Sequence, residues 1–255
     1  MKNSKQGTSY TTLPKYYDRF VQARGQNYDD FVNWIITLSN IYNLNLKRIL
    51  SLGSGNCTAE ILLAKKDFFV SCVDNSTSMI QESVKKFLKN HILNYEIIKS
   101  SITDYKLNTK VEMAFSHYFC INYLLTIKEL EDCFTLTYLN LKNHGIFLFD
   151  VIQDLPNPIK EKVLFYNNET FKSVLEMTYL KDNIGCTNFY NFFKLKNGLY
   201  DLVEEIHYQR GYTIEEITNL LIKAGFKRSK ITISKYLNYT PINDSDRRIV
   251  FIAQK

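Results

Sequence analysis

Between residues 28 and 42 the apolar side chains Phe31, Trp34, Ile35, Leu38 and Ile41 recur at the spacing of one helix face. Beyond them the period changes. Arg48-Ile-Leu-Ser-Leu is a short apolar run ending at Gly53-Ser-Gly55, which predicts a strand and a tight loop. Similar units follow. A helix is expected over 58–65 and a strand over 68–73, ending at Asp74. A helix capped at Ser76 or Thr77 runs through Lys89, and strands follow over 95–98 and 111–116. A helix over 127–141 carries Leu130, Phe134, Tyr138 and Leu141 on one stripe, and Asn143-His-Gly turns it into a strand over 146–151. Strands alternating with helices build a parallel, doubly wound sheet. Its right-handed crossovers bring the loops after the first and fourth strands to one edge.

The pattern breaks after Pro156 and Pro158. Three β-prone stretches follow, 173–180, 186–194 and 199–208, and Asn197-Gly198 between the last two is a hairpin signal. A helix over 213–224 opens on a capping box of Thr213 and Glu216 and stops at Gly225. Final strands over 231–236 and 248–253, either side of Pro241, suit an antiparallel pair at the sheet edge. The expected fold is α/β: a Rossmann-like, doubly wound, mostly parallel seven-stranded sheet with an inserted antiparallel β lid. Residues 1–155 and 211–255 form the ligand-binding domain in this reading, and 156–210 the lid or substrate-binding subdomain. Residues 1–13 are polar, with a disordered tip.

The 255 residues are 45% hydrophobic and 23% charged, as in a globular chain. Eighteen Tyr and 17 Phe suit a walled, partly polar pocket, although an AT-rich genome produces the same bias. Five Cys, an odd number without C-x-x-C, argue against a disulfide framework or a zinc site, and no metal is expected. The first residues lack an apolar core and no apolar run approaches 18, so the chain is read as cytoplasmic, without a membrane partner. The net charge is +6, but Lys and Arg are interspersed with Asp and Glu. The densest basic stretch, 223–230, reads as a solvated helix end rather than a nucleic-acid patch. A monomer or homodimer is expected.

The strongest local signal is Leu50-Ser-Leu-Gly53-Ser-Gly55-Asn-Cys57-Thr. Glycines after a first strand let the backbone pass close to a ligand, and the helix behind them points its N-terminus there. Asp74 ends the next strand, placed to accept hydrogen bonds from two ribose hydroxyls. Together these features point to an adenosine-containing ligand. A dinucleotide loop requires a third glycine where Thr58 stands, and a methyltransferase loop requires it where Cys57 stands, so the loop alone leaves both open.

Further segments extend the pattern: Tyr17-Asp18, Ala23-Arg24-Gly25-Gln-Asn-Tyr28, Val73-Asp74-Asn-Ser-Thr-Ser-Met79 and Ser101-Ile-Thr-Asp104-Tyr. Cys120-Ile-Asn122-Tyr123-Leu, Gly145-Ile-Phe-Leu-Phe-Asp150-Val and His207-Tyr-Gln209-Arg210-Gly-Tyr212 continue it. In this order the chain resembles the class I S-adenosylmethionine-dependent methyltransferases over nearly its whole length. The bacterial small-molecule members, such as amino-sugar N,N-dimethyltransferases, are the nearest in character. The resemblance implies S-adenosylmethionine as cofactor and a small-molecule methyl acceptor. It implies that Gly53 and Gly55 bound the methionine and ribose, that Asp74 holds the ribose, and that Asn75 and Met79 lie near the adenine. Ser101 and Ile102 would meet the adenine edge, and Ser116 and His117 the methionine end. Tyr17 and Arg24 would hold the methionine carboxylate on a segment that folds over that end. The chain departs from the family at Ser51 and Ser101, where the family carries acids, and at Cys57.

Methyl transfer from a sulfonium needs an aligned acceptor that can lose a proton, so a nearby base helps. The candidates are Tyr123 after the fourth strand, His117 beside it, and His207, which shares a strand face with Gln209. His91 and His144 read as helix-end and turn residues. Three functions fit: a small-molecule N- or O-methyltransferase, a tRNA or other RNA base methyltransferase, and a non-catalytic adenosine-binding relative.

Overall fold

A computed structural model describes residues 10–153, 161–237, 240–242 and 246–255. The N-terminal tip before Tyr10, the break at Pro156 and Pro158, and the expected start of the lid lie outside them.

The sheet strands are β1 (Arg48–Leu52), β2 (Phe69–Asp74), β3 (Tyr95–Lys99), β4 (Val111–Ser116), β5 (Leu141–Ile152), β10 (Ile231–Lys235) and β11 (Arg248–Gln254). Their order is β10-β11-β5-β4-β1-β2-β3. The five from β5 to β3 are parallel, and β11 is antiparallel to both its neighbours. Strands β1, β2 and β4 read as near-continuous apolar runs because they are buried on both faces.

Alternate residues point to opposite faces of the sheet. On one face Ile49, Cys72, Met113 and Phe115 pack against α2 (Tyr28–Ile41) and α3 (Thr58–Ala64), through Phe31, Ile35, Leu38 and Leu63. On the other, Leu50, Leu52, Ala114 and Phe149 meet α5 (Ile127–Asn140) and α6 (Ile214–Ala224), through Leu130, Phe134, Ile217 and Leu221. Capping boxes start both helices, Thr126 with Glu129 and Thr213 with Glu216. Helix α4 (Thr77–Lys89) begins at Ser76, whose hydroxyl accepts the Met79 N–H. No helix among the described residues is long and apolar enough to cross a membrane.

Between β5 and α6 lies a second, four-stranded antiparallel sheet, ordered β6 (Glu161–Asn167), β7 (Phe171–Tyr179), β8 (Ile184–Lys194) and β9 (Tyr200–Arg210). Three of its strands follow the predicted stretches. β6 is additional: most of it is exposed at the sheet edge, so no burial alternation marks it in the sequence. A second difference concerns 143–145. It is not a turn between helix and strand but an irregularity inside β5, with His144 at φ +65° and a register shift against β4.

N-terminal to the main sheet, the described chain begins at Tyr10. A 3-10 turn (Leu13–Tyr16) leads into α1 (Tyr17–Ala23). Leu13, Tyr16, Phe20 and Val21 pack against Phe171, Phe193 and Val203 of the second sheet, forming a third, separate core. This core ties the N-terminal segment to the second sheet, beside the edge where the loops after β1, β2 and β4 converge.

Candidate active site

The loops after β1 and β4 are pressed together. Gly53 has φ +71°, and a Cβ there would lie 2.1 Å from the Cys120 sulfur, so only glycine fits. Its N–H and that of Ser54 both donate to the Val73 carbonyl on β2, at 2.8 and 3.0 Å. Cys57 takes φ +58° and is fully buried. The backbone thus keeps the left-handed turn that glycine would favour, although the residue is not glycine.

Asp74 faces this loop from the end of β2. One of its carboxylate oxygens accepts the Gly55 N–H and the other the Ser76 N–H, each at 2.8 Å. Burial raises its pKa, while these backbone N–H groups oppose the rise. A carboxylate offers about four acceptor sites, so beyond these backbone bonds Asp74 can still accept from a neighbouring hydroxyl group. Asp74 lines a cavity of about 480 Å³ together with Gly53, Gly55, Asn75, Met79, Ser101 and Ile102. The Ser101 hydroxyl bonds Thr103, leaving a slot whose apolar walls are Met79 and Ile102. A hydroxyl acceptor, a glycine cradle and an apolar slot fit the ribose and adenine of S-adenosylmethionine.

The far wall of the cavity is aromatic and includes Tyr10, Tyr17, His117, Tyr118 and Tyr123. Tyr10 Oη and Tyr123 Oη are 3.0 Å apart, Tyr123 Oη lies 2.5 Å from His207 Nδ1, and His207 Nε2 lies 2.9 Å from Glu205 Oε2. Burial pushes the Glu205 pKa up, but the His207 hydrogen bond and backbone N–H groups outweigh it and hold the carboxyl below its ordinary range. The carboxylate only accepts, so the proton of a neutral imidazole sits on Nε2 and Nδ1 accepts from Tyr123. Tyr10 can then donate to Tyr123, which leaves the Tyr10 oxygen free to accept. Burial pushes both tyrosine hydroxyls upward, so both stay protonated.

His117 is a different case. Its ring stacks on Phe31 with centroids 3.7 Å apart, and Nε2 meets Tyr236 Oη at 2.5 Å. Burial, and after it the charge of Arg248, push its pKa well below the ordinary value. It borders the cavity as a neutral, packed ring.

Two residues expected at the cofactor, Arg24 and Ser116, do not line the cavity. The Arg24 guanidinium sits over the rings of Phe20 and Tyr166, at 4.7 and 4.8 Å, with Phe189 of the second sheet at 5.7 Å, and Arg24 is not among the residues that line the cavity. It ends α1 pointing into this aromatic group, where a planar cation packs well. The Ser116 hydroxyl donates to the Leu52 carbonyl at 3.0 Å, joining β4 to β1, and Ser116 stands behind Cys120 rather than among the residues that line the cavity. His207 lies one shell behind the surface, with Tyr123 in front of it. Asp150 at the end of β5 is held by Arg248 at 2.8 Å.

The structure adds Tyr10 and Glu205. Glu205 was reachable from the sequence, since the alternation that pairs His207 with Gln209 also places Glu205 on that face. Tyr10 carries no local signal, because a contact 195 residues away along the chain positions it.

The sequence model described as a methyltransferase domain matches residues 44–225. A protein of Geobacillus sp. (strain WCH70), named as a putative methyltransferase, is 25% identical over 258 residues, covering 97% of this chain and all of its own. Among solved structures, an S-adenosylmethionine-dependent methyltransferase from Clostridium acetobutylicum superposes with a TM-score of 0.82 at 20% identity, covering 96% of this chain and 98% of its own. The amino pentose methyltransferase CalS10 from Micromonospora echinaspora, solved with its cofactor, gives 0.75 at 13%, covering 94% and 96%. The family match spans β1 to α6 and includes the glycine loop and Asp74: the chain belongs to the methyltransferase-domain family, and its cofactor is S-adenosylmethionine.

Proposed function

We propose that this methyltransferase transfers a methyl group to an amine or hydroxyl of a small molecule bound between the loop after β4 and the N-terminal segment. The observation that carries the reading is the hydrogen-bonded series Tyr10–Tyr123–His207–Glu205, whose first two members line the cofactor cavity.

The cofactor supplies an electrophilic methyl on a sulfonium. The acceptor's nitrogen or oxygen forms the new bond to carbon as the sulfur–carbon bond breaks, and the acceptor sheds a proton. Asp74 and the glycine loop fix the adenosine half and thereby the direction of approach. Tyr10 Oη, with a free lone pair, takes the acceptor's N–H or O–H as a hydrogen bond and aligns its lone pair. The proton passes toward His207 Nδ1 through Tyr10 and Tyr123, and Glu205 stabilises the imidazolium that results. Tyr123 and Tyr10 are the groups that touch substrate, and His207 acts through them. The amino pentose activity of CalS10 is one of the same chemical class. We read the protein as cytoplasmic, acting without a nucleic-acid partner.

The test supplies methyl-labelled S-adenosylmethionine to the purified enzyme with a fractionated metabolite pool and, separately, with total RNA. Label is expected in small amines or hydroxyl compounds, and should fall at least tenfold in Tyr123→Phe with cofactor affinity kept. Label in RNA alone would overturn the small-molecule reading.

A further inference from the structure

Position 51, at the end of β1, holds serine where the resembling family carries an acid. The structure supplies a carboxylate by another route. Glu60, one turn into α3, is 3% exposed and turns back toward β1, where the Ser51 hydroxyl donates to its Oε1 at 2.5 Å. Among the described residues no cation pairs with it. Lys86, whose charge acts on it, is held by Asp18 at 2.6 Å and by Thr58 at 2.5 Å. A carboxylate buried without a cation is costly, and burial pushes this one up to about 7.

Glu60 also lines a recess of about 30 Å³ with Ser51, Tyr28 and Asn56. Tyr17, Gly53 and Tyr118 belong both to this recess and to the large cavity, so the two adjoin. The volume admits one ammonium-sized group, and the adjoining cavity, which Tyr118 also lines, has room for a carboxylate beside it. Two buried hydroxyls at the recess, Tyr28 Oη and Tyr118 Oη, have no hydrogen-bond partner. A small recess that offers an unpaired carboxylate and two unused hydroxyl donors is complementary to an ammonium beside a carboxylate.

Resting on the reading that the large cavity holds S-adenosylmethionine, we propose that Glu60 is the anion that binds the amino group of its methionine moiety, replacing an acid at position 51, while Tyr28 and Tyr118 donate to the carboxylate beside it. Glu60 is then a positioning residue. It fixes the methionine arm, and so the sulfonium, without touching the transferred methyl.

The test is calorimetric. S-adenosylhomocysteine and 5′-methylthioadenosine, which lacks the whole aminocarboxylate arm, are titrated into wild type, Glu60→Gln and the double variant Ser51→Asp/Glu60→Gln. Glu60→Gln should weaken S-adenosylhomocysteine about 10- to 100-fold, the range for one hydrogen bond to a charged group. It should leave 5′-methylthioadenosine within twofold, which also reports that the fold is intact. Returning the acid to position 51 should recover at least half of the loss on a logarithmic scale. Equal loss for both ligands, or no loss for either, overturns the assignment of Glu60. Failure of wild type to bind either ligand overturns the cofactor reading instead. If Glu60→Gln does not fold, wild type is titrated with the desamino analogue of S-adenosylhomocysteine, and undiminished affinity overturns the proposal.

Discussion

Replacing Glu205 with alanine should release the N-terminal segment from the second sheet. Oε1 accepts the N–H groups of Thr11, Thr12 and Leu13 at 3.0, 3.1 and 2.9 Å, and Oε2 accepts that of Tyr10 at 2.8 Å as well as His207 Nε2. Four consecutive backbone donors thus share one carboxylate that is 1% exposed. A hydrogen bond to a charged group contributes about 1.5–3 kcal/mol. Bonds sharing an acceptor are not additive, so the loss on docking is about 3–5 kcal/mol. The packing of Leu13, Tyr16 and Phe20 opposes release but leaves the four N–H groups to water only if the segment moves away. The two large cores flank the main sheet and do not include this segment, so global stability should change less than local protection. Hydrogen exchange of the amides of residues 10–13 measures this: protection should fall by about 100-fold or more in Glu205→Ala. Because the Glu205 pKa is lowered in the fold, its contribution is present above the unfolded value of 4.5 and is lost as pH falls through the lower folded value. Wild-type protection should therefore persist to pH 5 and decline below it. Equal exchange in the two proteins at pH 7 would refute the reasoning, because it would mean that the carboxylate does not hold the segment.

Asp74→Asn should lower cofactor affinity more than tenfold in a binding titration, with an unchanged melting curve in the free protein, because a charged hydroxyl acceptor is lost. Arg24→Ala should leave S-adenosylhomocysteine affinity within twofold while lowering stability by about 0.5–1 kcal/mol, the range for a cation over aromatic rings. A tenfold affinity loss would return Arg24 to the cofactor. Glu60→Gln should stabilise the cofactor-free protein at high pH. The rise of the Glu60 pKa from 4.5 to about 7 corresponds to about 3 kcal/mol held against the charged form. A raised folded value favours folding below pH 4.5 and is lost by pH 7, so the variant's advantage should grow across that window and level off above it. Parallel denaturation curves from pH 4 to 8 would contradict this.

Whatever recurs locally was legible in the sequence. The helix faces of α2 and α5, the apolar runs of β1 and β4, and the Thr213–Glu216 box are set within a few residues of one another, so periodicity and capping locate them. The glycine loop and Asp74 could be read for the same reason, since one strand–loop–helix–strand unit carries both. What escaped was set by distant contacts. β6 is a strand because β7 pairs with it, and both its faces are largely exposed. Arg24 lay in a segment matched to relatives, but its direction depends on rings from the second sheet that no local pattern reports. Serine at position 51 read as a lost acid. Only the packing of α3 on β1 shows a carboxylate nine residues later reaching the same place.

In the proposed mechanism the position of Glu205 links docking of the N-terminal segment to proton transfer. The carboxylate that fixes Tyr10 through its backbone also accepts from His207 and so sets which imidazole nitrogen faces Tyr123. Without the N-terminal segment, Glu205 and His207 would still be neighbours on β9. The series would then end at Tyr123, and the cavity would lack Tyr10 and Tyr17 from its wall. In the proposed mechanism the proton acceptor is therefore complete only when the segment that covers the cofactor is docked, which keeps water out at the step where it would compete. The two functions can be separated by substitution. His207→Asn removes the proton acceptor but keeps a polar group beside Glu205, so it should lower kcat at least tenfold while residues 10–13 remain protected from exchange. Glu205→Ala should impair both together. If His207→Asn exposes the segment as fully as Glu205→Ala does, the histidine is part of the latch, and the relay assigned to it has no separate support.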